Sequence, residues 1–207
     1  MGLVKSKTLS AGAFGGDDGG RDLSALLADL AARDSSVRRA AARDLANYPQ
    51  AAMALCDRLE KEASPSVRAV LFTSLIRVQD GEVAARLAAC LRSDDAQLRN
   101  GAIEALQEMP GAVAPHLQAL LADPDSDVRI FAVNILGALR HVSAPQWLAD
   151  VVRVEGHINV CAAAVDALAE VGGLEAIDAL EDLRRRFPGE AFMAFAIETA
   201  IRRIRGK

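Results

Sequence analysis

The sequence contains few aromatic residues. Aromatic side chains make up 4% of the 207 residues, with one Trp and one Tyr, whereas apolar residues as a whole make up 51%. A core with so few rings must be filled mainly by Ala, Leu and Val. Ala and Leu lose little conformational freedom on entering a helix, whereas β-branched and aromatic residues lose more. The composition therefore favours closely packed α-helices.

The sequence also lacks a basic surplus and any long apolar run. The formal net charge is −4, which argues against binding to nucleic acid, because phosphate backbones require a basic surface. No run of about 18 apolar residues is available for a transmembrane helix. Residues 1–20 lack the apolar core of a signal peptide. We therefore expect a cytoplasmic protein with neither nucleic-acid nor membrane partners.

Residues that catalyse reactions or bind metals are scarce and scattered. Cys56, Cys90 and Cys161 are odd in number and share no CxxC spacing, which predicts buried, reduced side chains. No GxSxG motif, phosphate-binding glycine loop or histidine pair at helical zinc spacing is present. We considered Cys161 as a nucleophile and a metal site formed by His141, Glu155 and His157, and we favour neither. We predict no catalytic residue, no cofactor and no metal.

The sequence does contain an internal repeat. The Val-Arg pair within DPDSDVRIFAVNILGAL, residues 123–139, has counterparts along the chain. Their first residues, here called anchors, are 30 to 32 positions apart: Val37, Val67, Leu98, Val128, Val160 and Phe192. Small or apolar residues stand four and eight places after each anchor and so share one helical face. Another helix is predicted before each anchor, around a leucine 11 or 12 places upstream: Leu26, Leu55, Leu87, Leu117, Leu148 and Leu180.

Helix-capping and chain-breaking residues separate these predicted helices. Asp34, Ser64, Asp95 and Asp125 are suitable N-caps, and glycine or proline breaks the chain between units, as at Pro110–Gly111. Helix pairs of about 30 residues that cannot bury their apolar faces alone are typical of an α-solenoid. The predicted fold is all-α, with a tail at residues 1–20 and one domain at 21–207, divided into repeats at 21–47, 48–79, 80–109, 110–141, 142–172 and 173–207.

The pattern Asp-x-x-Val-Arg-x-x-Ala-x-x-x-Leu resembles the HEAT repeat in its short bacterial form, the phycobilisome-lyase-like repeat. The resemblance covers roughly residues 21–207 and is clearest in the fourth copy. It implies a right-handed superhelix in which the arginine after each anchor bonds to the acidic turn of a neighbouring repeat. Arg38, Arg68, Arg99 and Arg129 would then form a structural ladder with Asp34, Asp94, Asp95 and Asp125. In the fifth copy Cys161 replaces the arginine, and the sixth, with Phe192 and Phe195, is expected to be a terminal cap with a bulky core residue.

In HEAT-like stacks the second helices line a concave face. At about 100° per residue, positions +2, +6 and +10 from each anchor point away from the buried stripe. We expect a protein-binding surface at these positions, formed by Arg39, Arg43, Arg77, Asn100, Glu104, Glu108, Ile130, Asn134 and Asp166. The change from basic to acidic along this face could orient a partner; an ordinary solvated surface is the alternative. Trp147, on a first helix, is assigned to the same surface as a candidate anchor for the partner.

The resemblance implies a non-enzymatic scaffold or adaptor in bacterial signalling or complex assembly, with another protein as its partner. One alternative is a subunit similar to the phycobilin lyases, or a chaperone, that holds a chromophore or a client protein. A second alternative is a lipidated membrane adaptor, because Met1–Ser6 fits a myristoylation pattern. A docking peptide around Leu9–Phe14 is a further hypothesis for the tail. The oligomeric state is left open.

Overall fold

A computed structural model describes residues 22–139 and 141–206. The hypotheses about the tail, including lipidation at Gly2, lie outside these residues. In the described part of the chain the structure consists of twelve α-helices without a strand: α1 Leu23–Leu30, α2 Ser35–Leu45, α3 Ala52–Lys61, α4 Pro65–Val78, α5 Gly81–Ala89, α6 Ala96–Gln107, α7 Pro110–Leu121, α8 Ser126–Ala138, α9 Ala144–Val154, α10 Ile158–Val171, α11 Ile177–Arg186 and α12 Ala191–Arg205.

The helices form six consecutive pairs that stack in chain order. Each second helix packs on the first helix of its own pair and on the second helix of the next pair, which gives a continuous layer from α2 through α4, α6, α8 and α10 to α12. The first helices form the other layer. The predicted all-α solenoid of six helix pairs is therefore confirmed.

Local sequence signals explain where the second helices begin. Asp34 and Asp125 each accept a hydrogen bond from the backbone N–H two residues later, at 2.7 and 2.9 Å. Asp95 caps α6 in the same way, at 2.9 Å from the amide of Gln97. Pro65 occupies the first position of α4, where its missing N–H costs no helical hydrogen bond.

One continuous core runs between the two layers. The leucine predicted at the centre of each first helix is at most 3% exposed: Leu26, Leu55, Leu87, Leu117, Leu148 and Leu180. Each such side chain contributes about 1.5–3 kcal/mol by leaving water. Since no pair could bury these residues without its neighbours, the fold depends on stacking.

The sixth pair departs from the expected register. Phe192 and Phe195 are 66% and 67% exposed, whereas Met193 is fully buried. The anchor of this pair is therefore Met193, and the expectation that Phe195 is a core residue is wrong. The stripe that starts at Met193 continues through Ile197, Ile201 and Ile204. It buries more apolar surface than the stripe from Phe192 through two alanines, which explains the one-residue rotation of α12.

The two layers are unevenly spaced at the fourth and fifth pairs. Second helices α8 and α10 approach closely because Gly137 has no side chain; a Cβ there would lie 2.8 Å from the Cβ of Ala167. In the first-helix layer, by contrast, α7 packs extensively on α5 and α9 on α11, while α7 and α9 barely touch. The first-helix layer is therefore open between α7 and α9.

Candidate functional site

The arginine after each anchor binds the loop between the two helices of its own pair. In four pairs the guanidinium donates a hydrogen bond to the carbonyl five places before the anchor: Arg38 to Ala32 (3.0 Å), Arg68 to Glu62 (2.5 Å), Arg99 to Ser93 (2.8 Å) and Arg129 to Asp123 (2.8 Å). These carbonyls end the first helices or follow them closely. The arginine therefore holds the entry of the second helix against the exit of the first.

Three of these arginines also reach the loop of the next pair. Arg38 forms two 2.8 Å bonds to the carboxylate of Glu62, and Arg68 lies 2.7 Å from the carboxylate of Asp95. Arg129 bonds to Glu155 at 2.8 and 3.2 Å. We call these bridging arginines, Arg38, Arg68 and Arg129, the clamp arginines.

The acidic partners thus differ from the expected ladder. Only Asp95 among the named aspartates pairs with an arginine of this set in the described residues, and it also caps α6. Asp34 and Asp125 cap their own helices instead. In Asp95 one carboxylate oxygen caps α6 and the other pairs with Arg68. At the other two junctions the arginine of the preceding pair reaches a glutamate that lies nearer the end of the first helix, Glu62 or Glu155.

Arg99 lies over the ring of Phe131, at 5.5 Å from its centroid, which is a cation–π contact. The buried carboxylate of the next loop, Asp123, is instead paired with Arg92. Within the described residues, the Nε of Arg99 is buried without a hydrogen-bond partner. The third pair is therefore joined to the fourth by a different arginine.

The fifth pair, which has Cys161 in place of the arginine, is bound from the following pair. The thiol of Cys161 donates to the carbonyl of Glu155 at 3.3 Å, the same position that the arginines use in the other pairs. Arg186, the last residue of α11, donates to the carbonyls of Val152 and Arg153 at 2.9 and 2.5 Å and also to that of Glu155. A guanidinium from the sixth pair thus joins the two pairs and reaches the Glu155 carbonyl, whose counterparts bind the arginine in other pairs.

Sequence reasoning missed the acidic residue five places before the anchor. Glu62, Asp123 and Glu155 hold this position, and each accepts a hydrogen bond from the amide two residues later, at 2.9, 2.9 and 2.7 Å. All three also pair with an arginine. The spacing to the anchors was available in the sequence and could have identified them.

The outward positions of the second helices form one surface, here called the second-helix face. All its predicted charged and amide residues are exposed: Arg39, Arg43, Arg77, Asn100, Glu104, Glu108, Asn134 and Asp166. Ile130 differs, since it is half-buried and packs on the core. At the outer edge, the amide of Gln79 donates to the carbonyl of Glu108 at 3.0 Å, and Arg203 pairs with Glu170. The face is therefore bonded across pairs.

A groove of about 530 Å³ lies on this face between α4 and α6. Its apolar floor includes Phe72 and Ile76, and Glu104 and Glu108 stand at its side. Gly101 makes the floor possible, because any Cβ at this position would overlap the ring of Phe72. We call this the α4–α6 groove.

The structure places Trp147 in the other layer, away from the second-helix face. Its half-buried side chain lines a groove of about 640 Å³ between α7 and α9, where the first-helix layer is open. Its ring stacks on that of His141, with centroids 4.6 Å apart. The assignment of Trp147 to the same surface as Ile130 is therefore corrected, since α9 is a first helix whose exposed side faces away from α8 and α10. We call this the α7–α9 groove.

The three thiols are poorly suited to nucleophilic chemistry. All are buried and unpaired, and burial raises the pKa of Cys56 to about 11. Burial also raises the pKa of Cys90 and of Cys161. The reactive thiolate form is therefore disfavoured at neutral pH.

The residues considered for a metal site have other partners. Glu155 pairs with Arg129, and the Nδ1 of His141 accepts a hydrogen bond from the amide of Ser143 at 3.1 Å. Across residues 22–139 and 141–206, no group of three or more His, Cys, Asp or Glu side chains has an arrangement that could hold a metal ion. In the same ranges, no helix combines the length and apolar character needed to cross a membrane.

Comparisons with known proteins agree with this architecture. The family model for HEAT repeats matches residues 23–107 and 113–191. Among solved structures, the chain is similar to Mini spindles TOG3 of Drosophila melanogaster, with 16% identity, a TM-score of 0.56, and coverage of 88% of this chain and 94% of that one. A HEAT-like repeat protein from the archaeon Thermococcus onnurineus has 14% identity, a TM-score of 0.48 and coverage of 89% and 87%.

A further similar structure is the CpcE–CpcF complex of phycocyanin lyase from Nostoc, with 19% identity and a TM-score of 0.39, covering 98% of this chain and 100% of that one. At these identities the likeness concerns the fold alone. No curated protein sequence is significantly similar to the chain.

The buried pair of Arg38 and Glu62 predicts a dependence of stability on pH. Hydrogen bonds from Arg38 hold the pKa of Glu62 at about 2, below its ordinary 4.5. The stabilisation is therefore complete above pH 4.5 and is lost as the pH falls towards 2. We expect Glu62→Gln to lower the free energy of unfolding by about 3 kcal/mol at pH 7, measured by urea denaturation. When the pH is then lowered from 7 towards 2, the free energy of unfolding should fall less in the variant than in the wild type, because the variant has no carboxylate to protonate at this position.

The control is Glu60→Gln, which changes the same group at an exposed ion pair with Arg86 and should cost at most about 1 kcal/mol. Equal effects of the two substitutions at pH 7 would contradict the structural role of Glu62.

The role of Arg186 predicts a contrast between neighbouring residues. Arg186→Ala removes three charge-assisted bonds to carbonyls of the fifth pair and should destabilise the chain by about 2 kcal/mol. Arg185→Ala removes an exposed ion pair with Asp182 within the same helix and should have little effect. Urea denaturation of both variants measures the difference. Indistinguishable midpoints would refute the role of Arg186 in joining the fifth and sixth pairs.

Proposed function

We propose that this chain, which belongs to the HEAT-repeat family, is a non-enzymatic scaffold or adaptor that binds a partner protein on its second-helix face. Stacked helix pairs generally serve as protein-interaction scaffolds, because the stack presents an extended surface on rigid elements. We further propose a bacterial, cytoplasmic setting. The short repeat type supports the first, and unpaired buried cysteines in the described residues support the second.

The distribution of charge on the second-helix face supports this function. The first two pairs contribute the exposed cations Arg39, Arg43 and Arg77, and the third contributes Glu104 and Glu108. A partner with the opposite order of charges would be oriented by this arrangement and steered to it. Such a partner would also gain apolar contact at Ile130 and at the exposed Phe195.

The α4–α6 groove is the observation on which the proposal rests. Glu104 and Glu108 are four residues apart on α6, so their side chains project from adjacent turns. Within the described residues neither carboxylate has an ion-pair partner, although Glu60, Glu62 and Glu155 are all paired. Two free carboxylates beside an apolar floor fit a protein segment that carries a basic residue next to an apolar one.

The test uses charge reversal in the full chain. The wild-type chain is immobilised, partners are captured from lysate of the source cells and identified, and the purified partner is then titrated by calorimetry. We expect Glu104→Lys/Glu108→Lys to weaken binding at least tenfold, because two attractive contacts become repulsive. Raising the salt concentration should weaken the binding of the wild type as well.

The matched control is Glu82→Lys/Asp178→Lys, which gives the same change of net charge on exposed positions of two first helices. This control should bind the partner like the wild type. Unchanged binding by the Glu104→Lys/Glu108→Lys chain, or equal losses in both double variants, would refute the second-helix face as the binding site. Turnover of a substrate by the purified chain alone would refute the non-enzymatic role.

A further inference from the structure

The α4–α6 groove opens at the edge of the stack where the second helices end. Its floor contains the half-buried side chains of Phe72 and Ile76, and the exposed Glu104 and Glu108 stand beside it. At the rim, the side-chain amide of Gln79 donates to the carbonyl of Glu108 at 3.0 Å. A segment that enters from this edge would therefore meet the apolar floor and both carboxylates together.

The described part of the chain begins at the same edge. Asp22 precedes α1, and the short loop 31–34 makes α1 antiparallel to α2, so α1 begins where α2 ends. The end of α2 is joined to that of α4, because Arg77 donates to the side chain of Asn47 at 3.4 Å. With neighbouring helices ~8–10 Å apart, the groove lies roughly 20–25 Å from Asp22.

We propose that the N-terminal segment Leu3–Leu9 of this same chain docks in the α4–α6 groove and competes there with the partner protein. The segment combines Leu3, Val4 and Leu9 with two basic residues, Lys5 and Lys7, and has no acidic residue. It therefore complements an apolar floor flanked by carboxylates without an ion-pair partner. Only the competition rests on the proposed function, because docking itself requires no partner.

The order of charges in the N-terminal residues agrees with the order along the second-helix face. An acidic pair, Asp17–Asp18, lies between the basic segment and α1. On the face, the first pair exposes Arg39 and Arg43, and the third pair exposes the two carboxylates of the groove. A chain that runs from α1 over the first two pairs to the groove thus brings opposite charges together at both ends of its path.

The connection is long enough for this path. Residues 10–21 separate the segment from Asp22, and an extended chain over this interval spans up to about 45 Å. A random coil of the same length has an end-to-end distance of about 20 Å, close to the distance that must be bridged. Effective concentration is highest under this condition, and at about 1 mM even a dissociation constant of about 1 mM leaves the groove occupied half of the time.

Two other grooves suit the segment less well. The groove between α1 and α3 is lined by Arg58 and Lys61, and its one carboxylate, Asp57, is already paired with an arginine. In the α7–α9 groove, Asp150 and Glu155 are likewise paired with arginines. That groove also lies roughly 35 Å from α1, in the other helix layer. Charge and distance together favour the α4–α6 groove.

A nitroxide spin label on the segment tests the docking in the full chain by NMR. The label is attached at Ser6→Cys, because the three native cysteines are buried and buried thiols are inert. It broadens the resonances of backbone amides that lie close to it in the isotope-labelled protein. We expect strong broadening at Ile76 and Glu108, and little at Trp147 in the α7–α9 groove.

Two double variants should remove the broadening at the groove. Leu3→Ser/Leu9→Ser removes the apolar side chains of the segment and keeps its lysines and its label. Glu104→Lys/Glu108→Lys reverses the charge beside the groove, so that the groove repels the lysines of the segment.

A charge exchange gives the sharpest control. Adding Lys5→Glu/Lys7→Glu to the charge-reversed groove should restore the broadening, because the charges of segment and groove are again opposite. The matched control Glu82→Lys/Asp178→Lys makes the same change of net charge at exposed positions of two first helices. Its broadening should equal that of the otherwise unchanged chain.

Titration of the partner protein measures the competition. At half occupancy of the groove by the segment, Leu3→Ser/Leu9→Ser should strengthen partner binding about twofold, because the groove is then always free. Unchanged affinity in this variant would refute the competition. If charge reversal of the groove leaves partner binding unchanged in this same background, the proposed function fails, whereas broadening by the spin label still supports docking.

Equal broadening at the groove with and without Leu3→Ser/Leu9→Ser would overturn the proposal. Strong broadening at Trp147 instead would overturn it too, because the segment would then lie in the α7–α9 groove. A third contrary result is broadening of an isotope-labelled chain by a separate spin-labelled chain, since the segment of a second copy would then occupy the groove.

Discussion

The stack depends on a guanidinium that bonds two loops at once. Each clamp arginine donates to the carbonyl five places before its own anchor and to a carboxylate in the loop of the next pair. The planar, five-donor guanidinium can do this because its N–H groups point in fixed and different directions. Burial of leucines supplies most of the stability of the pairs, but it is non-directional. The clamps fix how the first, second and fourth pairs are set against the next pair, while Arg92 and Arg186 join the remaining pairs.

This arrangement concentrates the structural charges at one edge of the stack, where the loops are, and leaves both helix layers available for contacts. On the second-helix face, Glu104 and Glu108, which have no ion-pair partner among the described residues, lie beside the ring of Phe72, which rests over Gly101. In the first-helix layer, the groove with Trp147 lies between α7 and α9, which barely touch one another. Gly101 thus permits the groove on the second-helix face, whereas the groove in the other layer lies between two separated first helices.

The repeat, the six helix pairs and the central leucines were predictable from sequence, because they follow from the spacing of apolar residues and from capping chemistry. Of the arginine partners only Asp95 was obtained. The resemblance pointed to the N-cap aspartates, whereas Glu62 and Glu155, at a different spacing, accept the bonds of Arg38 and Arg129. The register of α12 was missed because Phe192 lies at the regular spacing from the previous anchor, whereas the buried residue is Met193, one position later. The α7–α9 groove could not be predicted, because it results from packing distances between helices of two pairs.

The central claim, that bidirectional guanidinium bonds set the stack, is tested most directly by replacing the three clamp arginines with lysine. Arg38→Lys/Arg68→Lys/Arg129→Lys keeps every charge but cannot reach both loops with directed donors. The control Arg39→Lys/Arg43→Lys/Arg77→Lys makes the same change at exposed positions of the second-helix face. Urea unfolding should show a loss of at least about 3 kcal/mol for the clamp triple and almost none for the control. Equal free energies of unfolding for the two triples would contradict the claim.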